Sequence, residues 1–276
     1  MKHEDVYTKF MIEYDKANVL SSYPSLTEYE VATFLDKAYN ALIAQKVTGN
    51  NVRRTGFETD VKVIEDLSPL ITQKDLNLYQ NEPSSNIRYS SNTVYANLPK
   101  EEYMYFVSAF LDKELNIDTS TGKVPMDRPA TKEGPEKRAI PVQLVSHQMA
   151  LKFRSNSYNK PWIKIPIGYI ETDKLYITCD PFDTNDLVIG NKCHLTYIRK
   201  PNTFVKDLSD RTKFSKETGV YDYFKPSEAD ADNPYYVFEC NDTMVEELIS
   251  LAITYALENI ESARLNTKLN LRGLEA

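Results

Sequence analysis

The segment DTMVEELISLAITYALENIESA, at residues 242–263, predicts a long amphipathic helix, and Thr243 and Glu246 have the spacing of a capping box at its start. At about 100° per residue, six polar side chains share an arc of about 120°. They are Glu246, Glu247, Ser250, Thr254, Glu258 and Glu261. Apolar side chains cover about 200° on the other side. A face that wide needs more than one neighbour to cover it, so we expect packing within the subunit and against another helix, which a second subunit could supply. The expected contact residues are Leu248, Leu251, Ala252, Tyr255 and Ala256.

The acidity of the chain is concentrated in the same region. Residues 226–263 contain nine acidic residues and no lysine or arginine. The whole chain carries −7 and this segment carries −9, so the remainder carries +2. The negative charge therefore belongs mainly to one element.

Two more helices are predicted near the other end of the chain. Ser25 and Glu28 have the spacing of a capping box, an apolar stripe with helical spacing follows, and Gly49 ends the pattern. A shorter helix is predicted over residues 57–67.

Between the helices the composition changes to aromatic and β-branched residues, which is typical of strands. Strands are predicted at 103–111, 139–145 and 192–199, a hairpin over 162–178 and a short helix at 146–154. Residues 112–138 are rich in proline, threonine and lysine and show no periodicity. We predict a long exposed loop there.

These elements predict an α+β fold. The N-terminal helices and the long C-terminal helix pack as a small bundle, and an antiparallel β domain is inserted between them. The predicted parts are an N-terminal helical part at 1–93, a β-rich domain at 94–201 with its loop at 112–138, and a last part at 202–276. That last part holds an irregular segment, the long helix and the tail, and completes the bundle.

The glycine content excludes several classes of nucleotide-using enzyme. The chain has 8 glycines in 276 residues, and no two lie within six residues of each other. A phosphate-binding P-loop, a dinucleotide fingerprint and a nucleophile elbow all need closely spaced glycines. Nothing else places a nucleophile beside a base, so no residue is assigned a catalytic role and no cofactor is expected, while a carboxylate pair among the 40 acidic residues stays open.

The candidate metal ligands have simpler explanations. Cys193 and His194 could join Cys179 at a zinc ion, but adjacent residues of a strand point to opposite faces. Asp180, Asp183 and Asp186 lack the spacing of a calcium loop and are typical of turns. We expect no metal site. Three cysteines without a C-x-x-C pair favour a reducing compartment, and no apolar run approaches the roughly 18 residues of a membrane span.

Short basic clusters raise the question of nucleic-acid binding. Arg53–Arg54 and Arg199–Lys200 are basic, and the chain has 19 tyrosines. The clusters are short, the chain is acidic overall, and no RNA-binding motif is present. Solvated faces or protein contacts therefore explain these residues better, because tyrosine is common in protein interfaces.

Several phrases, in this order, resemble virion structural proteins of crAss-like tailed bacteriophages that infect Bacteroidales. They are FMIEYD at 10–15, SLTEYEVATFL at 25–35, NLP at 97–99, NSYNKP at 156–161 before a tryptophan, YIRKP at 197–201 and VEELISLA at 245–252. The chain is most similar to the ring or adaptor proteins of the head-to-tail connector. Where relatives commonly have Asn-Pro-Phe before the lysine and proline, this chain has Asn-Ser-Tyr-Asn at 156–159, which leaves the ring layer open.

The resemblance implies a mixed fold of packed helices and a β domain, without catalysis. It implies a ring of twelve copies at the portal–tail junction of the virion, assembled in the host cytoplasm, with portal protein and other connector or tail rings as partners. DNA would only pass through, and no membrane is involved. On this basis the acidic face of Glu246, Glu247, Glu258 and Glu261 is expected to approach the DNA conduit, where it would repel phosphates. A simple solvated face explains it equally well.

Two other functional classes stay open. One is a virion binding module, fibre-associated or carbohydrate-binding, whose β domain presents tyrosines. The other is an enzyme with a pocket of converging titratable groups.

Overall fold

The computed structural model describes residues 1–17, 26–49, 56–58, 60–80, 93–115, 136–155, 161, 165–178, 192–204, 224 and 237–259. Within these ranges the chain forms five α-helices and an eight-stranded, mostly antiparallel sheet. The predicted α+β class is therefore confirmed.

The helices are α1 (His3–Ala17), α2 (Glu28–Thr48), α3 (Val61–Leu67), α4 (His147–Ser155) and α5 (Asp242–Asn259). A 3-10 turn at Ser68–Leu70 follows α3. The strands are β1 (Ile71–Gln80), β2 (Thr93–Asn97), β3 (Tyr103–Leu115), β4 (Glu136–Pro141), β5 (Gln143–Leu144), β6 (Ile167–Glu171), β7 (Lys174–Thr178) and β8 (Lys192–Arg199).

The chain divides into two compact units. The helical unit combines Met1–Leu70 with Lys200–Ala276, and the sheet unit is Ile71–Arg199. The sheet unit is thus an insertion between the two halves of the helical unit. It begins earlier than the predicted boundary at 93/94, because β1 was not predicted and belongs to the sheet.

In the helical unit, α5 packs against α2 and α1. The start of α2 differs from the prediction. Thr27, not Ser25, is the N-cap, and its capping box is completed by Glu30. Gly49 ends the helix as predicted, with a left-handed φ of 71° that glycine adopts without strain.

The start of α3 also differs from the predicted one, whereas α5 begins at the predicted residue without the predicted cap. α3 begins at Val61 instead of residue 57, because Asp60 caps it by accepting from the backbone N–H of Lys62 at 3.0 Å. α5 begins at Asp242, which places Thr243 inside its first turn. The Thr243 hydroxyl points to Asp66, at 3.4 Å, and Glu246 pairs with Lys9. The predicted Thr243–Glu246 capping box was therefore wrong.

The sheet has the strand order β4-β3-β8-β1-β2-β7-β6-β5 and closes almost into a barrel. Closure depends on the segment from β4 to β5, because β4 pairs with β3 at one edge and β5 pairs with β6 at the other. Between them the backbone N–H of Val142 donates to Ala109 at 2.8 Å, and that of Gln143 donates to Pro166 at 2.9 Å. A Cβ on Gly168 would lie 2.7 Å from a Val142 methyl, so glycine is what lets this crossing approach β6.

Both ends of the predicted loop at 112–138 are strand. Residues 112–115 extend β3 and residues 136–138 begin β4, in register with each other. The rest of the predicted loop lies outside the described residues. The predicted hairpin is confirmed as β6 and β7, and the strand at 192–199 is confirmed as β8.

Side chains inside the near-barrel form one apolar core. Its fully buried members include Val94, Ala96, Leu175, Ile177, Cys193, Leu195 and Tyr197. The alternate residues of the same strands point outward, as the two-residue period of a strand requires. This alternation defines the outer face of the sheet.

Candidate functional site

The predicted acidic face of α5 is largely engaged inside the helical unit. Glu246 lies 2.7 Å from the ammonium of Lys9 in α1, and this hydrogen bond raises the pKa of Lys9. Glu247 lies 2.9 Å from Lys46 of α2 and 3.5 Å from Lys62 of α3. Glu258 is exposed, and Glu261 lies outside the described residues. Two of the four predicted charges are therefore balanced by lysines of neighbouring helices.

The polar arc between these glutamates is not a continuous solvent face. Ser250 and Thr254 are buried, and the Thr254 hydroxyl donates to the Ser250 carbonyl at 2.9 Å. Leu257, which also lies on the arc, is buried as well. The middle of α5 is thus covered on nearly every side.

The predicted subunit-contact residues are mostly inside the chain. Leu248, Leu251, Ala252 and Ala256 have at most 2% of their surface exposed. Tyr255 stays partly exposed, with the Lys37 ammonium 4.3 Å from its ring centroid. Of the five predicted contact residues, only Tyr255 is partly exposed, and the subunit interface stays a prediction.

A buried ion pair joins three helices beneath the acidic face. Lys46 and Asp66 lie 2.8 Å apart, and their side chains are only 8% and 2% exposed. Burial lowers the pKa of Lys46, but the bonds from Asp66 and Glu247 outweigh it and raise the pKa overall. Lys46 is charged throughout the neutral range, and the pair fixes α2 against α3 and α5.

A second buried cluster surrounds the segment that follows β8. Asp36 of α2 accepts from the backbone N–H of Phe204 at 2.8 Å, and the His3 ring lies 4.7 Å from the Phe204 ring. Burial lowers the pKa of His3 from 6.5 to about 4 and raises that of Asp36 from 3.8 to about 6. Glu239 adds a bidentate contact to Asn202, at 3.0 and 2.9 Å. The cluster therefore holds residues 202–204 with groups from α1, α2 and the segment before α5.

The two described candidate zinc ligands, Cys193 and His194, point to opposite faces of β8. Cys193 is buried in the barrel core, and burial raises its pKa to about 12, so its thiol is inert. His194 points to the outer face, where its Nδ1 lies 2.6 Å from Asp75. The prediction of opposite faces is confirmed, while Cys179 and the Asp180, Asp183 and Asp186 cluster lie outside the described residues.

The basic candidates contribute little to a described surface. Arg199 is partly exposed and Lys200 is exposed, at the end of β8. Arg53 and Arg54 lie outside the described residues. Across the described ranges, no group of three or more metal-ligating side chains could hold an ion, and no helix is long and apolar enough to cross a bilayer.

The outer face of the sheet carries a row of four tyrosines that the sequence alone did not reveal. Tyr79, Tyr95, Tyr176 and Tyr169 are directly opposite one another on β1, β2, β7 and β6. Neighbouring ring centroids are 5.4, 6.0 and 5.3 Å apart. Helix α4 packs on the β6 end of the row through Ala150, so Tyr169 and Tyr176 are buried, whereas Tyr79 is 42% exposed.

A polar strip continues from the exposed end of this row along β1 and β8. Outward residues of β1 are Asp75, Asn77 and Tyr79, and Lys192 and His194 of β8 are in register with Asn77 and Asp75. Asp75 contacts His194 and lies 3.8 Å from Lys192. The alternation of Leu76 and Leu78 with polar residues in ITQKDLNLYQ, at 71–80, is the signal that could have predicted β1 and this strip.

No protein-family model matches the chain, and no curated protein is significantly similar to it in sequence.

Proposed function

We propose that the protein is a structural subunit of a tailed-phage head-to-tail connector, which forms an oligomeric ring between portal and tail around a DNA conduit. It acts at the portal–tail junction of the virion, without catalysis or cofactor. Its partners are other copies of itself, the portal protein and neighbouring connector or tail rings. Twelve copies are expected from the resemblance to connector ring proteins.

One observation carries the proposal. The phrases that resemble connector proteins lie on elements that build the fold: the phrase at 10–15 on α1, that at 25–35 on α2, that at 197–201 at the end of β8 and that at 245–252 on α5. They supply fully buried residues of the helical unit, including Phe10, Val31, Leu35, Val245 and Leu248. The resemblance therefore involves positions that determine packing, and the mixed helical and β architecture is the one that it implies.

Subunit contacts must use residues other than the buried face of α5. Among the described residues of the helical unit, the large apolar side chains with most exposure are Ile12, Tyr29 and Val61, at 49%, 50% and 70%. We assign the ring contact to this set, because exposed aliphatic and aromatic side chains gain most from burial in an interface.

The acidic face of α5 has a smaller role in this proposal than the sequence suggested. Glu246 and Glu247 are paired with lysines of their own unit. Repulsion of passing DNA is assigned to Glu258, which is exposed, and to Glu261, which lies outside the described residues.

Negative-stain imaging of the purified protein, alone and mixed with its portal protein, tests the proposal. A closed ring of about twelve copies is expected in at least one sample. Val61→Asp should prevent ring formation and leave helix content unchanged, whereas Glu65→Gln, on the same helix, should assemble normally. A monomer or trimer in both samples would contradict the connector assignment.

The outer face of the sheet favours a second candidate, a virion binding module. The exposed end of the tyrosine row, next to a polar strip, has the combination of a fixed aromatic side chain and hydrogen-bonding groups that ligand sites use. Solution mass separates the two, since a binding module needs no ring of twelve.

A further inference from the structure

We propose that the outer face of β1 and β8 binds an uncharged oligosaccharide through the Tyr79 ring and the polar groups of Asn77, Asp75 and Lys192. This inference rests on the second candidate function and does not require ring assembly.

The aromatic end of the strip is rigid and open. Tyr79 stacks on Tyr95 with 25° between the ring planes and a centroid distance of 5.4 Å. Tyr95 in turn contacts Tyr176, and the Lys174 ammonium lies 4.3 Å from the Tyr95 centroid. Tyr79 is held from one side and exposes 42% of its surface. A ring fixed in this way can accept the apolar C–H face of a sugar with little loss of rotamer freedom.

At the polar end of the strip, His194 and Phe110 hold the Asp75 carboxylate in place. Asp75 receives the 2.6 Å contact from His194, and the His194 ring stacks on Phe110 at 4.5 Å. This fixes the carboxylate, which has acceptor capacity for further hydroxyl groups. His194 is thus a positioning residue, and the expected ligand contacts come from the exposed Asp75, Asn77 and Lys192.

Charge and length select the ligand class. Asp75 and Lys192 carry opposite charges 3.8 Å apart, so the strip has no excess charge to attract a nucleic acid or an acidic peptide. Asp75 offers acceptors, Lys192 offers donors and Asn77 offers both, so the strip can hydrogen-bond to sugar hydroxyls. From Asp75 to Tyr79 the strand advances about 13 Å, longer than one sugar ring. An oligosaccharide therefore fits better than a single sugar.

The test uses the full chain and four neutral hexasaccharides: maltohexaose, cellohexaose, laminarihexaose and xylohexaose. Saturation-transfer NMR should detect binding of at least one of them, with a Kd on the order of 1 mM. Tyr79→Ala and Asn77→Ala should each weaken that binding about tenfold. Val237→Ala is the matched control, because Val237 is 43% exposed, close to the 42% of Tyr79, belongs to the helical unit and should leave binding unchanged.

Asn77→Ala should fold normally, because its side chain is exposed and its strand pairing is through the backbone. A loss of binding in this variant therefore reports on the site and not on misfolding. Absence of binding by all four sugars at millimolar concentration would overturn the inference. So would binding that survives both substitutions, or binding of a ten-residue thymidine oligonucleotide that Tyr79→Ala abolishes. None of these results bears on ring formation, which imaging tests separately.

Discussion

The buried groups around Phe204 predict a specific pH dependence of the helical unit. His3 is 3% exposed, and burial lowers its pKa from 6.5 to about 4. The folded state therefore binds the His3 proton less tightly than the unfolded state. Stability from this group is present above pH 6.5 and is lost as the pH falls from 6.5 to about 4, by about 3 kcal/mol.

Asp36 has the opposite effect over nearly the same interval. Burial raises its pKa from 3.8 to about 6, so the folded state binds this proton more tightly. Its contribution is favourable below pH 4 and is lost as the pH rises towards 6. The full pKa difference corresponds to about 3 kcal/mol, and solvent screening at this partly buried carboxyl reduces it to about 2 kcal/mol. In the wild type the two slopes largely cancel.

When either group is removed, the free energy of unfolding should show the pH dependence that the other group causes. Asp36→Asn keeps an oxygen acceptor for the Phe204 N–H and removes the buried charge. We expect this variant to be about 1–2 kcal/mol more stable than the wild type at pH 7, and the gain to vanish near pH 4. His3→Gln should do the reverse, losing the acid-sensitive slope and becoming more stable relative to the wild type as the pH falls from 6.5 to 4.

Urea unfolding followed by circular dichroism at 222 nm, at pH values from 4 to 7.5, measures these differences. Most of the described helix lies in the helical unit, so this signal reports on it. Carboxyl and imidazole NMR titrations give the two pKa values directly. Glu65→Gln removes an exposed carboxyl from the same unit and should show no such slope. If Asp36→Asn follows the wild-type pH profile in parallel, the assignment of a buried, charged Asp36 is wrong.

Three further stability predictions follow from single contacts. Lys46→Ala leaves the buried Asp66 carboxylate without the Lys46 ammonium, and the free energy of unfolding in urea should fall by about 3–5 kcal/mol. Replacing an exposed lysine, as in Lys37→Ala, should lower it far less. Gly168→Ala places a Cβ against the Val142 methyl and should lower the stability of the sheet unit by about 1–3 kcal/mol, with partial rescue by a second Val142→Ala change. Gly49→Ala imposes a left-handed φ on alanine and should cost about 1 kcal/mol in thermal unfolding, with no effect on the sheet unit.

The fold class could be predicted because its main elements have strong local signals. Helical spacing marked α2 and α5, and aromatic and β-branched runs marked β3, β7 and β8. Strand β1 was not predicted because it contains lysine, aspartate and asparagine, which are rare in strands. Asp75 and Asn77 are tolerated there because they point to the outer face, while Leu76 and Leu78 point into the barrel. Lys74 lies on the same side of the strand as Leu76, but it is exposed and lies 3.3 Å from Glu102.

The candidate site was harder to predict because it depends on register. Tyr79 and Tyr95 are 16 positions apart in the sequence, and nothing local shows that they are opposite each other. His194 and Asp75 are 119 residues apart along the chain. Such pairs are fixed by strand pairing over the whole sheet, so a single sequence offers candidate residue types but no partner for them.

Periodicity predicted the width of the apolar face of α5 but could not identify the helices that cover it. The apolar face of α5 needs more than one neighbour, as its width predicts. Those neighbours include α1 and α2 of the same unit. Hydrophobic burial is not directional, so an apolar face is satisfied equally by its own chain or by another copy. The sequence likewise could not show whether the polar arc of α5 faces solvent or other side chains of the same unit. Glu246 and Glu247 are exposed enough to meet solvent, yet three lysines from α1, α2 and α3 bind them. The proposed ring interface must therefore be sought among side chains that folding leaves uncovered, and the exposure of Val61 at 70% makes α3 the first place to test.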